Sequence, residues 1–151
     1  RQETRGKVHA EGLTHRAVHI FAFNRQGELF LQKRSHLKDT MPLRWDSSAA
    51  GHLDAGESYA AAAVREVEEE LGIAGAELTW AAILPPSEAN GYEFIQVYET
   101  TIKPSKIRLP AAEVDCGEFF SLESVEEWIE ASPEDFAPGF LQCFVAYSSR
   151  K

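Results

Sequence analysis

Three glutamates, Glu66, Glu69 and Glu70, are the residues whose spacing most clearly indicates chemistry. They lie in the stretch GHLDAGESYAAAAVREVEEELGI at residues 51–73, which predicts one helix. A helical residue advances by about 100°, so the three carboxylates fall on neighbouring turns of one face. Like charges at this spacing repel each other unless cations neutralise them, and oxygen ligands favour Mg²⁺ or Mn²⁺. The alternative is a solvated, charged helix face without a ligand.

The ends and the buried face of this helix are also indicated by the sequence. Residues 56–58 form the predicted entrance, and Gly72 follows Leu71 as a residue that tolerates the positive φ of a helix end. Arg65 precedes Glu69 by four residues, so it can hold that carboxylate in position. The predicted buried stripe contains four apolar residues: Ala60, Val64, Val67 and Leu71.

Strands must position this helix, and alternating or apolar segments predict them on both sides of it. Together with an extended segment at 45–50, the predicted strands are residues 7–13, 15–23, 28–34, 77–84, 92–102 and 115–120. Further helices are predicted at 121–131 and 140–147, and a helical turn begins at Pro133 and is interrupted at Pro138-Gly139. Strands and helices interleave without regular βαβ alternation. We therefore expect an α+β fold in which a mixed sheet lies between helices.

Composition narrows the class of protein. A chain of 151 residues with 44% hydrophobic content suits one globular domain over residues 1–151. Cys116 and Cys143 lack metal-ligand spacing, which indicates reduced packing residues of an intracellular protein. No apolar run reaches the ~20 residues of a membrane span, and no secretory signal is evident, so a cytoplasmic location is expected. A net charge of −9 argues against duplex nucleic acid as a partner. A monomer and a homodimer are equally compatible with the sequence.

The helix and its approach resemble the signature of the Nudix hydrolases. The matching positions are Gly51, Glu57, Arg65, Glu66, Val67, Glu69, Glu70, Gly72 and Ile73. The resemblance implies an α/β/α sandwich in which the three glutamates and the Gly51 carbonyl bind Mg²⁺ or Mn²⁺. It also implies that Glu57 supports the loop and that Arg65 supports the ligand face.

Residues 15–58 resemble the branch of the Nudix superfamily that contains isopentenyl-diphosphate isomerase and its hydrolase relatives. In that branch, basic residues after a hairpin bind the diphosphate, and Arg34 and Lys38 fall on those places. Lys33 is a third cation of the same segment. Without the resemblance, all three side chains read as ordinary exposed surface.

The isomerase itself is an alternative, and two features count against it. Its pattern has a reactive cysteine directly before a Gly-His pair, where this chain has Ala50, and residues 65–70 keep the complete hydrolase pattern. His9, His15 and His52 nevertheless lie near its metal-binding histidines, although a hydrogen-bonded structural role suits each of them as well. Glu93 aligns with its metal-binding and catalytic glutamate.

The resulting expectation is a metal-dependent hydrolase that acts on a diphosphate linkage in a nucleoside diphosphate derivative or another small organic diphosphate. Glu69 belongs to its catalytic group, and either Glu66 or Glu93 removes the proton of the attacking water. The alternatives are an isomerase-like enzyme and a non-catalytic nucleotide-binding domain. No motif in the loops identifies the substrate.

Overall fold

A mixed sheet organises the computed structural model, which describes residues 15–34, 43–87, 93–109 and 114–150. Seven strands are found in these ranges: β1 (His15–Phe23), β2 (Leu29–Arg34), β3 (Trp45–Asp46), β4 (Ala49–His52), β5 (Thr79–Leu84), β6 (Glu93–Thr101) and β7 (Val114–Phe120). The path β3-β2-β1-β6-β5 runs through the sheet, while β4 pairs with β1 and β7 pairs with β2. The β1–β6 pair is parallel and the other pairs are antiparallel. The expectation of a mixed sheet is confirmed.

The turn between β1 and β2 is closed by one asparagine. The side chain oxygen of Asn24 accepts hydrogen bonds from the backbone N–H groups of Gln26 and Glu28, at 3.0 and 2.9 Å. Gly27 adopts a φ of 81°, a conformation that costs glycine little. This local geometry sends β2 back along the sheet.

Helices cover both faces of the sheet. Along β1, Val18 and Ile20 pack in one apolar cluster with α1 (Tyr59–Leu71), whereas Ala17 and Phe21 pack in a second cluster on the opposite face. The second cluster includes residues of α2 (Leu122–Ala131) and α3 (Pro138–Ser148). Successive residues of a strand point to opposite faces, so one strand contributes to both cores. The arrangement is the expected α/β/α sandwich.

The ends of α1 are set by local contacts. The Ser58 hydroxyl accepts a hydrogen bond from the Ala61 N–H at 3.1 Å and caps the first turn. Gly72 has a φ of 74°, and its N–H donates to the Glu68 carbonyl at 3.0 Å. The helix therefore begins and ends where the sequence predicts.

The buried stripe of α1 is rotated from the predicted one. Ala60 is exposed and Val64 is only half-buried. The residues that the structure buries are Ala62, Ala63, Glu66, Val67 and Leu71. The prediction is wrong at Ala60 and Val64 because the row that faces the sheet runs through Ala63, Glu66 and Val67 instead. This rotation also turns one of the acids inwards.

Aromatic rings fill the opposite layer. The ring centroids of Phe140 lie 5.8 Å from Phe21 and 5.5 Å from Phe136. Pro138 does not interrupt a helix, contrary to the prediction, but is the first residue of α3, where its missing N–H has no intrahelical acceptor. A short 3₁₀ turn, Pro133–Asp135, precedes it.

Some sequence expectations lie outside the described residues, among them the strand at 7–13 and the positions of His9 and Lys38. Cys116 and Cys143 form no disulfide within the described residues, but only Cys143 is buried, and Cys116 on β7 is exposed rather than packed. In the described part of the chain, no helix is both long and apolar enough to cross a bilayer.

Candidate active site

The site is built where α1 crosses β4. Glu66 is only 7% exposed, and its carboxylate lies directly over the backbone of Gly51. A Cβ atom at position 51 would overlap that carboxylate. Glycine is therefore required here by close approach rather than by an unusual φ.

Arg65 uses all five of its N–H donors within the site. Its Nε and Nη2 atoms bind the two carboxylate oxygens of Glu57 at 2.8 and 2.9 Å. Its Nη1 atom binds Glu66 at 2.9 Å and Glu69 at 3.2 Å. The second hydrogen of Nη2 goes to the carbonyl oxygen of His52 at 3.0 Å. One planar group thus joins the helix, the loop before it and the end of β4.

Glu57 holds the loop that leads into α1. Its Oε1 atom accepts from the backbone N–H of Asp54 at 2.9 Å, and its own N–H donates to the Asp54 carbonyl at 3.0 Å. Hydrogen bonds from Arg65 lower the pKa of the Glu57 carboxyl to about 2. At neutral pH Glu57 is therefore a firm anionic partner of the guanidinium.

Glu70 points towards the sheet instead of towards solvent. Its Oε1 atom accepts from the Gln32 side chain at 2.8 Å, and its Oε2 atom faces the Ala50 N–H at 3.4 Å. Burial raises the pKa of the Glu70 carboxyl, and the adjacent Glu66 carboxyl raises it further. The contact between these two acids brings two of the predicted ligands together.

Glu69 completes the acidic set from the exposed side of α1. Its side chain is 58% exposed and is bound by Arg65. Among the described residues, no three His, Cys, Asp or Glu side chains are grouped closely enough to enclose a metal ion. The acids are adjacent, and each has a protein donor: an arginine for Glu66 and Glu69, and an amide for Glu70.

The oxygen atoms of these residues are of the chemical type that binds a hard divalent cation. Carboxylate oxygens are the ligands that Mg²⁺ and Mn²⁺ prefer, and the backbone of Gly51 lies against them without an intervening side chain. Enclosing a cation requires Glu69 to turn from Arg65, which its exposure allows.

The basic residues of β2 are divided between the two faces of the sheet. Arg34 lies on the face of Gln32, and its Nη1 atom is 3.8 Å from the Asp46 carboxylate. Lys33 lies on the opposite face, with its Nζ atom 5.9 Å from the ring centroid of Trp45. The structure therefore brings Arg34 to the side of the acids and does not bring Lys33 there.

The histidines are placed by the register of the strands. His52 pairs with Ala17, and His15 pairs with Glu93 in the parallel β1–β6 ladder. Since Gly51 faces α1, strand alternation directs the His52 side chain to the other face, while the His52 carbonyl accepts a hydrogen bond from Arg65. The side chains of His15 and Glu93 lie outside the described part of the structure.

Gln32 and Asp46 are site residues that the sequence prediction missed. Both lie on the acidic face, opposite each other in the β2–β3 pair. The sequence signal for Gln32 is limited to alternation along β2, which places it on the same face as Phe30 but does not show that this face meets α1. Asp46 carried no such signal.

Comparison with known proteins identifies relatives along nearly the whole chain. The model of the NUDIX domain family matches residues 13–140. The chain is 34% identical over 143 residues to an uncharacterised Nudix hydrolase of Pseudomonas aeruginosa. This match covers 95% of this chain and 83% of that protein. The chain is 31% identical over 144 residues to the isopentenyl-diphosphate Delta-isomerase of Serratia proteamaculans, in a match that covers 92% of this chain and 79% of that enzyme. Nudix hydrolase 3 of Arabidopsis thaliana is 50% identical over 70 residues, and this match spans 46% of the chain but only 9% of the plant protein.

Solved structures show the same fold. A crystal structure from Deinococcus radiodurans has a TM-score of 0.69 at 28% identity and covers 78% of this chain and 73% of that one. The Nudix domain of NrtR from Shewanella oneidensis, solved with ADP-ribose, has a TM-score of 0.68 at 16% identity and covers 98% and 99%. At that identity the second likeness shows the fold alone. The family match and the full-length relatives together establish that this chain belongs to the Nudix family.

Proposed function

We propose that this protein hydrolyses a diphosphate linkage in a nucleoside diphosphate derivative or another small organic diphosphate, with Mg²⁺ or Mn²⁺ as cofactor. Membership of the Nudix family supports a pyrophosphohydrolase in general. The observation that carries the proposal is the complete acidic set of α1: Glu66 lies over the backbone of Gly51, Glu70 contacts Glu66, and Glu69 shares the Arg65 guanidinium with Glu66.

Glu66, Glu69 and Glu70, with the Gly51 carbonyl, would hold the metal. When bound there, a divalent cation supplies charge neutralisation for phosphoryl oxygens and makes a bound water more acidic. Arg65 and Glu57 keep the backbone of β4 and the first turns of α1 at a fixed separation. Because of this bracing, the acids need only a small movement to face a common point.

The cations of the proposal are Arg34 and Lys38. Arg34 lies on the same face of the sheet as the acids, at the end of β2, with Asp46 beside its guanidinium. A planar guanidinium can bind two phosphate oxygens at once, and a lysine ammonium acts as a point charge. Arg34 therefore would bind the diphosphate, with Lys38, four residues further along the sequence and outside the described residues, as its partner.

A glutamate would remove the proton of the attacking water, and two candidates are retained, Glu66 and Glu93. Glu66 is buried, its Oε2 atom accepts a hydrogen bond from Arg65, and its carboxyl group contacts that of Glu70. Glu93 begins β6 beside His15. Comparing the pH dependence of kcat for Glu66→Gln and Glu93→Gln separates them, because loss of the base removes the acidic limb of the profile.

The substrate class is proposed as a nucleoside diphosphate derivative because a structural neighbour, the Nudix domain of NrtR, was solved with ADP-ribose. The likeness is one of fold, so the test must be broad. A panel of nucleoside diphosphates, dinucleotides, sugar nucleotides, prenyl diphosphates and thiamine diphosphate should show metal-dependent release of phosphate or nucleotide from at least one compound.

The decisive variant is Glu69→Gln, and Glu68→Gln is its matched control. Both residues are exposed glutamates of α1, but Glu68 lies outside the proposed ligand set. Glu69→Gln should lower kcat/KM by at least about 100-fold, equivalent to about 2.7 kcal/mol of transition-state stabilisation. Glu68→Gln should retain the activity of the wild type. Similar activity of the two variants on every substrate of the panel would overturn the proposal.

An isomerase acting on isoprenoid diphosphates is the second candidate, favoured by the 31% identity to the Serratia enzyme. Ala50 stands where the isomerase pattern has its cysteine, and a methyl group cannot transfer a proton. Incubation with isopentenyl diphosphate separates the candidates, because the isomerase converts it without releasing phosphate.

A further inference from the structure

We propose that Gln32 is a positioning residue that fixes the orientation of Glu70 for metal binding. This inference rests on the proposed function, in which Glu70 is a metal ligand. Gln32 lies on β2, outside the stretch that carries the acids, and it is only 8% exposed. Its side chain amide donates a hydrogen bond to Oε1 of Glu70 at 2.8 Å.

The orientation of the Gln32 amide is determined by its second partner. The Nε2 atom also donates to the carbonyl oxygen of Ser48 at 3.0 Å. A carbonyl oxygen can only accept, so the NH₂ end of the amide must face Ser48, and the oxygen end cannot replace it. The two hydrogens of Nε2 are therefore shared between Ser48 and Glu70. The amide cannot turn over without losing both bonds.

Ser48 is itself held by the sheet. Its hydroxyl accepts from the Ala22 N–H on β1 at 2.8 Å and donates to the Phe30 carbonyl on β2 at 2.5 Å. Ser48 is fully buried. The position of its carbonyl is thus fixed by two strands, and Gln32 transmits that position to the carboxylate of Glu70.

The contact constrains one oxygen of Glu70 and leaves the other directed at the site. Oε1 is bound by Gln32, while Oε2 lies near the Ala50 N–H at the longer distance of 3.4 Å. Without Gln32, the carboxylate keeps the long backbone contact on β4 and its contact with Glu66, but loses its 2.8 Å hydrogen bond to the sheet and is less constrained in orientation. A ligand that must be ordered on binding gives a weaker site, since outer partners of metal ligands contribute about 10–100-fold to affinity.

Binding of Mn²⁺ to the purified protein without substrate, followed by the electron paramagnetic resonance signal of free Mn²⁺, tests the inference. The variant is Gln32→Met, which keeps the length of the side chain and removes both donors. The control is Thr100→Val, which removes another buried side chain hydrogen bond, 2.7 Å from Thr100 Oγ1 to the Glu77 carbonyl, away from the acids. We expect Gln32→Met to weaken Mn²⁺ binding by about 10–100-fold and Thr100→Val to leave it unchanged.

The outcomes separate this inference from the proposed function. If the wild type binds no Mn²⁺, the proposed function fails. If the wild type binds Mn²⁺ and Gln32→Met binds it equally well, only the positioning role is overturned, as it is when Thr100→Val weakens binding to the same extent. If Gln32→Met does not fold, Gln32→Asn replaces it, because it keeps the polar amide but is one methylene too short to reach both partners. Affinity of Gln32→Asn equal to that of the wild type then overturns the role.

Discussion

Replacing Arg65 with lysine keeps the positive charge but removes the planar group that joins α1 to β4 and to the preceding loop. Arg65 donates five hydrogen bonds, at 2.8, 2.9, 2.9, 3.0 and 3.2 Å. Lysine has three N–H donors, so at least two of the five bonds are lost. The substitution therefore tests how much of the stability of the protein depends on this junction.

The magnitude follows from the exposure of the side chains. Hydrogen bonds to charged groups contribute about 1.5–3 kcal/mol when they are buried and less when water competes. Arg65 is 26% exposed and its main partner Glu57 is 15% exposed, so about 1 kcal/mol per lost bond is appropriate. Arg65→Lys should lower the free energy of unfolding by about 2 kcal/mol, which corresponds to about 4–8 °C in Tm for a chain of this length.

Urea denaturation followed by tryptophan fluorescence measures this difference as a shift of the midpoint at constant slope. Arg25→Lys is the control, because Arg25 is an exposed residue of the turn between β1 and β2, away from the acids. Its effect should stay within about 0.5 kcal/mol. If Arg65→Lys unfolds at the same urea concentration as Arg25→Lys, the guanidinium does not brace the site and the reasoning fails.

Three further predictions address the loop, the glycine and the core. The pKa of Glu57 is lowered from 4.5 to about 2, so its ionised form stabilises the folded state fully above pH 4.5, and this stabilisation is lost as the pH falls towards 2. The difference in urea midpoint between the wild type and Glu57→Gln should therefore become smaller as the pH is lowered from about 5 to about 3. A difference that stays constant over this range contradicts the assignment. Gly51→Ala should abolish metal-dependent hydrolysis because the new methyl group overlaps the Glu66 carboxylate. Gly139→Ala is the control and should remain active, since its new methyl group would be 3.5 Å from the nearest neighbouring atom. Equal activity of the two variants would argue against close packing at position 51. Phe140 is fully buried, so Phe140→Ala should cost about 3–5 kcal/mol in thermal or urea unfolding, and a loss below about 1 kcal/mol would be incompatible with the described core.

Local signals in the sequence were sufficient to predict α1 and its acids. Ser58 and Gly72 act on their own turns, so the ends of the helix do not depend on the rest of the fold. The order of the strands was beyond such reasoning, since it depends on pairings between distant segments, such as β1 with β6. Pro138 was misread because proline breaks a helix in its interior but starts one at the first position, and one residue cannot distinguish the two.

The acids of the site and their partners Arg65 and Glu57 were indicated by the sequence, but Gln32 and Asp46 were not. Alternation along β2 separates Lys33 from Arg34, yet the sequence does not say which face meets α1. Gln32 looked like an ordinary polar strand residue until the fold placed Glu70 against it. The sequence did not indicate Asp46 either, because its contact with Arg34 arises from the pairing of β2 with β3. Neither Gln32 nor Asp46 belongs to a motif, so only the contacts made in the fold identify them.

The short strand β4 has a consequence for how activities diverge within this family. Gly51 faces the acids of α1. Its neighbours Ala50 and His52 pair with His19 and Ala17, and these pairs direct their side chains to the opposite face of the sheet. A cysteine introduced at position 50 would therefore project away from the acids and could not act on a ligand held by them. The two faces of β4 can thus change independently, since side chains at positions 50 and 52 belong to one layer and position 51 belongs to the other.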